Sequence, residues 1–160
     1  MWYTIYMKKI IVVSDSHGNK QGIDQIFQKE EFDYFLFLGD CLGDLGTYAH
    51  LENMLAVRGN CDFFSSAPSY GILQVEGVKV FYCHGHEYSV KSGLGGVVNA
   101  GKCIDADLVL FGHTHRFLHE VVDNMHVVNC PALGKVRGGE GAYMEILVDN
   151  KKISIFKKEI

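Results

Sequence analysis

Several features that define other protein classes are missing from this 160-residue sequence. Its five cysteines are odd in number and widely spaced, and no two form a CxxC pair. This pattern argues against a disulfide framework and against a thiolate zinc site, so we expect a reducing, cytoplasmic location. No apolar run approaches the ~20 residues that a membrane-spanning helix needs, so we expect no membrane association.

The sequence also lacks the charge pattern of a nucleic-acid-binding protein. Its net charge of −4 comes from 15 basic and 19 acidic residues, and no basic block occurs. Tight binding to a nucleic-acid backbone is therefore not expected. The composition, 48% hydrophobic and 21% charged, is typical of a globular protein.

Length and local composition predict a single domain over residues 1–160. The chain contains no repeats, no low-complexity segments and no interdomain linkers. Residues 1–6 (MWYTIY) lack the basic region of a signal peptide, and Met7 begins a more ordinary N-terminus. We therefore interpret residues 1–6 as an N-terminal extension that the fold does not require.

The stretch Lys8–Asn19 predicts both a strand and part of a site. The run from Ile10 to Val13 is β-branched throughout, the pattern of a strand buried on both faces. Asp15 and His17 follow it, and on an extended chain their side chains point the same way. Ligands of open α/β sheets bind at this end of the strands. A divalent cation suits such a pair, and an Asp–His hydrogen bond in a turn is the alternative.

The predicted order of secondary-structure elements changes at Pro68. Before it, strands alternate with helices; after it, strands are joined by tight turns such as Glu76-Gly77. Strands are predicted at 34–38, 54–57, 70–75, 78–83, 108–111, 116–122, 125–130, 142–148 and 152–158, and helices at 19–30, 45–53 and within 90–103. Two sheets stacked face to face and covered by helices accommodate this mixture, in the α/β class.

Five predicted strands share one feature: each is followed at once by side chains that can bind metal. These side chains are Asp15, His17, Asp40, Asn60, His84, His113 and His115. They offer oxygen and imidazole ligands without a thiolate, and they are too many for one ion with about four ligands. They fit two ions that share a bridging carboxylate. Such mixed ligation suits Mn, Fe, Ni, Co or Zn better than Ca or Mg.

A pair of such ions indicates a reaction class. Two cations roughly 3.5–4 Å apart clamp an in-line displacement at phosphorus and lower the pKa of the attacking water. Their charge also stabilises the oxygens of the transferring phosphoryl group. The ligand set therefore predicts metal-assisted hydrolysis of a phosphate ester by a metal-bridging hydroxide.

The motifs D-x-H, G-D, G-N-C-D, H-G-H and G-H-T-H, in this order, resemble those of the calcineurin-like metallophosphoesterase superfamily. The similarity is greatest to its YfcE-type branch of small phosphodiesterases. It implies a four-layer αββα sandwich with a dinuclear site, whose seven ligands are also the catalytic residues. By motif position, one ion is held by Asp15, His17 and His115, the other by Asn60, His84 and His113, with Asp40 bridging them.

The resemblance also suggests roles for side chains beside the ligands. Asn60, His86 and Arg116 are candidate substrate contacts, although an ordinary strand position explains Arg116 equally well. Asp62 is expected to orient a ligand or brace the turn. Many superfamily members carry histidine where this chain has Cys61, and a neutral thiol is a weak donor. We therefore expect weak activity on alkyl phosphomonoesters and better activity on aryl diesters.

Three hypotheses for function follow. The first is a cytoplasmic phosphodiesterase that uses two divalent ions, manganese first, on a small phosphate ester. The second is a protein-interaction scaffold of the same fold, like the retromer subunit, without catalysis or with weak catalysis. The third is a nuclease, which the acidic charge balance disfavours. The resemblance further suggests a homodimer or homotetramer.

Overall fold

Runs of β-branched and aromatic residues form ten strands in the computed structural model, which describes residues 7–134 and 140–160. The strands are β1 (Lys8–Val13), β2 (Tyr34–Phe37), β3 (Met54–Ala56), β4 (Tyr70–Val75), β5 (Val78–Cys83), β6 (Leu108–Phe111), β7 (Leu118–Val122), β8 (Met125–Asn129), β9 (Ala142–Asp149) and β10 (Lys152–Glu159). The predicted strands are confirmed, and the largest difference is at β7, which begins at Leu118 instead of Arg116. The predicted extension 1–6 lies outside the described residues.

The helical segments are short. Helix α1 (Lys20–Lys29) begins where the Asn19 side chain accepts a hydrogen bond from the Gly22 amide at 2.9 Å, a common N-cap arrangement. Helix α2 spans Gly95–Cys103. The helix predicted at 45–53 is instead a 3₁₀ segment over Leu42–His50, interrupted at Gly46 with a φ of 52°. No helix within the described residues is long and apolar enough to cross a membrane.

The strands form two five-stranded mixed sheets. One has the order β10-β9-β1-β2-β3, with β1, β2 and β3 parallel to one another. The other has the order β4-β5-β6-β8-β7, with β5, β6 and β8 parallel. The hairpins β4-β5, β7-β8 and β9-β10 are antiparallel, as their tight turns predict.

Alternation of side chains along the central strands builds four layers. From β1, Ile10 and Val12 point into an apolar core that also contains Leu108 and Leu110 of β6, so the two sheets pack face to face. The intervening Ile11 packs against α1 on the outer side. On the far side of the second sheet, the other face of β6 packs against the region of α2. The α/β fold class and the αββα layering are thus confirmed.

This topology places the site. Because β1, β2 and β3 run parallel, their carboxyl ends lie at one edge of the first sheet. The ends of β5 and β6 lie together in the second sheet for the same reason. Backbone hydrogen bonds tie the following turns to one another, including Asp15 N to Gly39 O at 3.0 Å and Gly112 N to His84 O at 2.9 Å.

Candidate metal centre

Two buried carboxylates form the centre of the site. Asp15 follows β1 and is fully buried, and Asp40 follows β2 and is 2% exposed. Asp15 Oδ2 accepts hydrogen bonds from Ser14 Oγ at 2.5 Å and from the His113 amide at 3.1 Å. Asp40 Oδ1 accepts one from the Cys61 amide at 2.9 Å. Each carboxylate is thus held by one oxygen, and its other oxygen faces the imidazoles.

The first group of potential ligands surrounds Asp15. His115 Nε2 lies 3.1 Å and His17 Nε2 3.7 Å from Asp15 Oδ1. The two imidazole nitrogens are 3.3 Å apart. One ligand atom from each residue falls within 4.8 Å of the others, a geometry that can hold a metal ion.

The second group surrounds His84, which is fully buried at the end of β5. His84 Nε2 lies 3.4 Å from Asp40 Oδ2, 3.2 Å from His113 Nδ1 and 3.1 Å from Asn60 Oδ1. Asp40, His84 and His113 likewise offer ligand atoms within 4.8 Å of one another. The Asn60 amide oxygen adds a fourth potential ligand to this group.

The two groups are adjacent, and Asp40 lies between them. His17 Nε2, from the first group, is 3.8 Å from Asp40 Oδ2. That same oxygen is 3.4 Å from His84 of the second group. One carboxylate oxygen is therefore within reach of both groups.

Hydrogen bonding orients His84 for ligation. Its Nδ1 lies 2.7 Å from the Leu38 carbonyl oxygen, which can only accept, so Nδ1 carries a proton. In the neutral ring, Nε2 is then an unprotonated lone pair, and its neighbours Asn60 Oδ1 and Asp40 Oδ2 are acceptors too. These converging acceptors are satisfied either by a proton on Nε2 or by a metal ion in its place, and a backbone bond to the other ring nitrogen is typical of metal-bound histidine.

The electrostatics of the site also favour a bound cation. Burial lowers the pKa of His84, but the hydrogen bond to Asp40 and the charges of Asp15 and Asp40 outweigh it and raise the pKa above its ordinary value. Burial raises the pKa of Asp40, yet hydrogen bonds from His84 and Cys61 hold that pKa well below its usual range. The cluster is therefore ionised at its carboxylates and attracts positive charge.

The half-buried histidines of the two ligand groups, His113 and His115, differ in the direction in which their pKa is shifted. Burial, His84 and Lys91 lower the pKa of His113 to about 4, so this ring is neutral near pH 7 and free to ligate. The hydrogen bond to Asp15 raises the pKa of His115 above its ordinary value. A proton and a metal ion therefore compete for His115 more than for His113.

The backbone at the site corrects one prediction. Asp15 and His17 do not share a side of an extended chain: their φ angles are 52° and 41°, in the left-handed region. His113 and His115 show the same, with φ angles of 71° and 64°. The side chains of each pair do come together, but through tight turns rather than strand alternation. Left-handed non-glycine residues concentrate at functional sites, where the surrounding structure holds them.

Asp62 braces the turn that carries Asn60. Its Oδ2 accepts hydrogen bonds from the Gly59 amide at 2.7 Å and the Asp40 amide at 2.9 Å. Its Oδ1 accepts one from the Leu42 backbone amide at 2.8 Å. Asp62 thereby couples the turns after β2 and β3. Sequence analysis missed the equivalent residue of the first turn, Asp44, whose Oδ2 accepts from Ser16 Oγ and the Gly18 amide at 2.7 Å each. Asp44 lies 26 residues or more from these partners along the chain, so no local sequence motif indicates the contact.

The structure places the candidate substrate contacts at the rim. His86 lies beside the second group, with its ring centroid 5.3 Å from that of His84, and its Nδ1 has no hydrogen-bond partner among the described residues. Arg116 is exposed in the bend before β7, outside the strand that was predicted to begin with it, and its contact with substrate stays a prediction. Cys61 is exposed as a residue, but its thiol is partly removed from water. This partial burial and the charge of Asp40 raise the pKa of the thiol to about 11.

Comparison with known proteins places this arrangement in a family. The model of the calcineurin-like phosphoesterase superfamily domain matches residues 7–151. The chain belongs to this superfamily. The match covers every residue of both ligand groups.

Individual relatives agree with this assignment. The probable metallophosphoesterase YsnB of Bacillus subtilis is 30% identical over 123 residues, covering 75% of this chain and 72% of that protein. The phosphodiesterase MJ0936 of Methanocaldococcus jannaschii is 26% identical over 176 residues, covering 88% and 99%. The vacuolar protein sorting-associated protein 29 of Schizosaccharomyces pombe is 30% identical over 96 residues, covering 56% and 51%.

The fold of this phosphoesterase also matches a solved structure. A predicted phosphoesterase from Streptococcus pneumoniae superposes with a TM-score of 0.83 at 20% identity, covering 98% of this chain and 91% of the other. The two-sheet architecture is therefore that of the superfamily.

Proposed function

We propose that the protein is a phosphodiesterase that depends on two divalent metal ions. The observation that carries this proposal is the pair of adjacent ligand groups, each within 4.8 Å, with Asp40 in reach of both. Membership of the phosphoesterase superfamily and a relative named as a phosphodiesterase support it.

In this proposal Asp15, His17 and His115 hold one ion, Asn60, His84 and His113 hold the other, and Asp40 is shared. Such cations would supply an activated water and positive charge for the phosphoryl oxygens. The mixed imidazole and carboxylate set makes manganese our first choice, with Ni, Fe, Co and Zn as alternatives. The substrate is a small phosphate ester.

The residues at the rim determine which esters suit the site. A thiol with a pKa of about 11 stays protonated near pH 7 and is a poor proton donor to an alkoxide leaving group. An aryl leaving group departs without a proton, so aryl diesters suit this site best. His86 and Arg116 are the side chains we assign to contact the substrate, together with Asn60.

The direct test is hydrolysis of bis(p-nitrophenyl) phosphate by protein loaded with Mn²⁺. We expect turnover in the wild type and at least about 100-fold less in Asp40→Ala and His84→Ala, since each removes a central ligand. His119→Ala, an exposed histidine on β7 outside both groups, is the matched control and should keep its activity. Activity that survives both ligand substitutions would contradict the proposal.

A second candidate function is a protein-interaction scaffold, favoured by the relative named vacuolar protein sorting-associated protein 29. All seven potential ligands are present and gathered in this chain, which supports catalysis over scaffolding alone. Partners captured equally well with and without chelator, combined with no phosphoesterase activity, would support the scaffold.

The remaining assignments are proposals of the same kind. We propose one domain over the whole chain, a cytoplasmic location, and a homodimer or homotetramer. Light scattering of the purified protein tests the assembly, and a monomer at micromolar concentration would contradict it.

A further inference from the structure

A cavity of about 530 Å³ opens beside the candidate metal centre. Its volume lies in the range of small-molecule sites. It is formed between the segment that precedes α2 and the segment that precedes β7. The lining residues that matter here are Lys91, Leu94, Thr114, Arg116, Phe117 and Asn129.

Thr114 joins this cavity to the metal centre. It stands between the two candidate ligands His113 and His115 in the chain, and it also lines the cavity. Its hydroxyl oxygen accepts a hydrogen bond from the side-chain amide of buried Asn129 and one from the Arg116 backbone amide at 3.2 Å. The wall shared by the cavity and the centre is therefore fixed by hydrogen bonds.

The cavity is positively charged. Lys91 lies on one side and Arg116 on the other, and none of its described lining residues is acidic. An anionic group in this cavity would meet two cations.

Another part of the cavity lining is apolar. Phe117 is 39% exposed, although large aromatic side chains usually bury most of their surface. Leu94 and Val90 line the same space. A flat ring seated against Phe117 would cover this apolar surface.

Building on the proposed phosphodiesterase function, we infer that this cavity binds one ester arm of the substrate, an arm that carries a flat ring and a second anionic group, as a nucleotide does. A neutral aryl arm would cover Phe117 and leave Lys91 and Arg116 without a partner. A second phosphate without a ring would pair with the cations and leave the apolar wall in water. An arm that contains both uses every feature of the cavity.

The test compares two substrates that differ only in the second charge. Thymidine 5′-(p-nitrophenyl phosphate) and its 3′-phosphorylated form share the ring, the scissile bond and the leaving group. For Mn²⁺-loaded wild type we expect kcat/KM to be on the order of tenfold higher for the 3′-phosphorylated form, because a phosphate gains charge-assisted hydrogen bonds from the cavity. In Lys91→Ala/Arg116→Ala this ratio should fall to about one.

A matched control and a binding measurement separate this inference from a loss of catalysis. Lys102→Ala removes an exposed lysine on α2 that pairs with Asp123, and it should keep the wild-type ratio. Calorimetry with thymidine 3′,5′-bisphosphate should show about tenfold weaker binding to the Lys91→Ala/Arg116→Ala protein than to the wild type.

The outcomes distinguish the two proposals. Equal kcat/KM for both substrates in the wild type would overturn the cavity inference and leave the phosphodiesterase assignment standing. Hydrolysis of bis(p-nitrophenyl) phosphate but of neither thymidine substrate would overturn the cavity inference alone. No hydrolysis of any of the three diesters would overturn the phosphodiesterase assignment, and the calorimetry then decides on the cavity. Equal affinity of the bisphosphate for wild type and double variant would overturn the cavity inference on its own.

Discussion

Gly112 lies so close to Ser14 that a Cβ atom at position 112 would be 2.0 Å from the Ser14 hydroxyl oxygen and 2.8 Å from Asp15 Oδ2. Its φ is not in the left-handed region, so the glycine provides space for a close approach and not a special turn. The same contact lets the chain after β6 donate the His113 amide to Asp15. The two sheets thus meet at the metal centre through a position that only glycine fits.

We predict that Gly112→Ala is destabilising by about 2 kcal/mol, because the added methyl group would overlap the buried Ser14 side chain and the Asp15 carboxylate to which it is hydrogen-bonded. It should also weaken metal binding, since Asp15 must shift. Urea denaturation and metal titration measure the two effects. Gly43→Ala is the control: no atom lies within 4 Å of a Cβ there, so its stability should change by less than about 0.5 kcal/mol. Equal stability of the two variants would contradict the close-approach explanation.

The second prediction concerns Cys61. Replacing its protonated thiol with an imidazole that titrates near pH 6.5 supplies a general acid for an alkoxide leaving group. Cys61→His should raise kcat/KM for glycerol 2-phosphate by at least about tenfold. The backbone hydrogen bond from residue 61 to Asp40 does not involve the side chain and is retained.

Phosphate release from glycerol 2-phosphate measures this effect, and bis(p-nitrophenyl) phosphate is the internal reference. Cys61→Ser controls for loss of the thiol alone and should leave the ratio of the two activities unchanged. A Cys61→His protein with the wild-type ratio would show that the thiol does not limit monoester hydrolysis.

The third prediction concerns stability far from the site. Glu30 is buried and accepts hydrogen bonds from Tyr143 Oη at 2.7 Å and from Lys158 Nζ. Burial raises the pKa of Glu30, but Lys158 and Tyr143 outweigh it and lower the pKa below its ordinary 4.5. A carboxylate with a lowered pKa stabilises the fold above the unfolded value and loses that contribution as the pH falls through the folded value.

Glu30→Gln should therefore be destabilising by about 2 kcal/mol at pH 7, since hydrogen bonds to a charged group are lost. The difference from the wild type should shrink as the pH falls below 4.5. Guanidinium denaturation at several pH values measures it. A difference that stays constant down to pH 3 would show that the charge of Glu30 contributes nothing.

The sequence predicts the strands and the ligands well, for a physical reason. Buried central strands such as β1 and β6 are continuous apolar runs, and the turn after each begins with a polar residue. Because parallel strands end at one edge of a sheet, Asp15 and Asp40 could be expected to meet without knowledge of the strand order. His84 follows a strand of the other sheet and meets them because the two sheets pack face to face.

What the sequence does not reveal depends on contacts between distant segments. The left-handed backbone of Asp15 and His113 is held by hydrogen bonds between turns of different sheets, and local propensity favours other conformations. The cavity between Lys91 and Phe117 exists only once β6 pairs with β8. The 3₁₀ segment Leu42–His50 likewise departs from the predicted helix because its backbone is broken at Gly46.

The central claim is that two cations share Asp40. Asp40→Asn removes its charge but retains an oxygen that can accept from the Cys61 amide, so the fold should persist while the shared ligand is weakened. The metal-free variant should be somewhat less stable than the metal-free wild type near pH 7, because a carboxylate whose pKa is lowered in the fold contributes stability there. Thermal unfolding without metal checks that the variant is folded.

The most direct measurement is the number of Mn²⁺ ions bound per chain, by equilibrium dialysis and metal analysis of wild type and Asp40→Asn. We predict two ions per chain in the wild type and no more than one in Asp40→Asn at the same free Mn²⁺ concentration. A wild type that binds fewer than two ions, or an Asp40→Asn protein that binds two as tightly as the wild type, would contradict the shared-ligand centre.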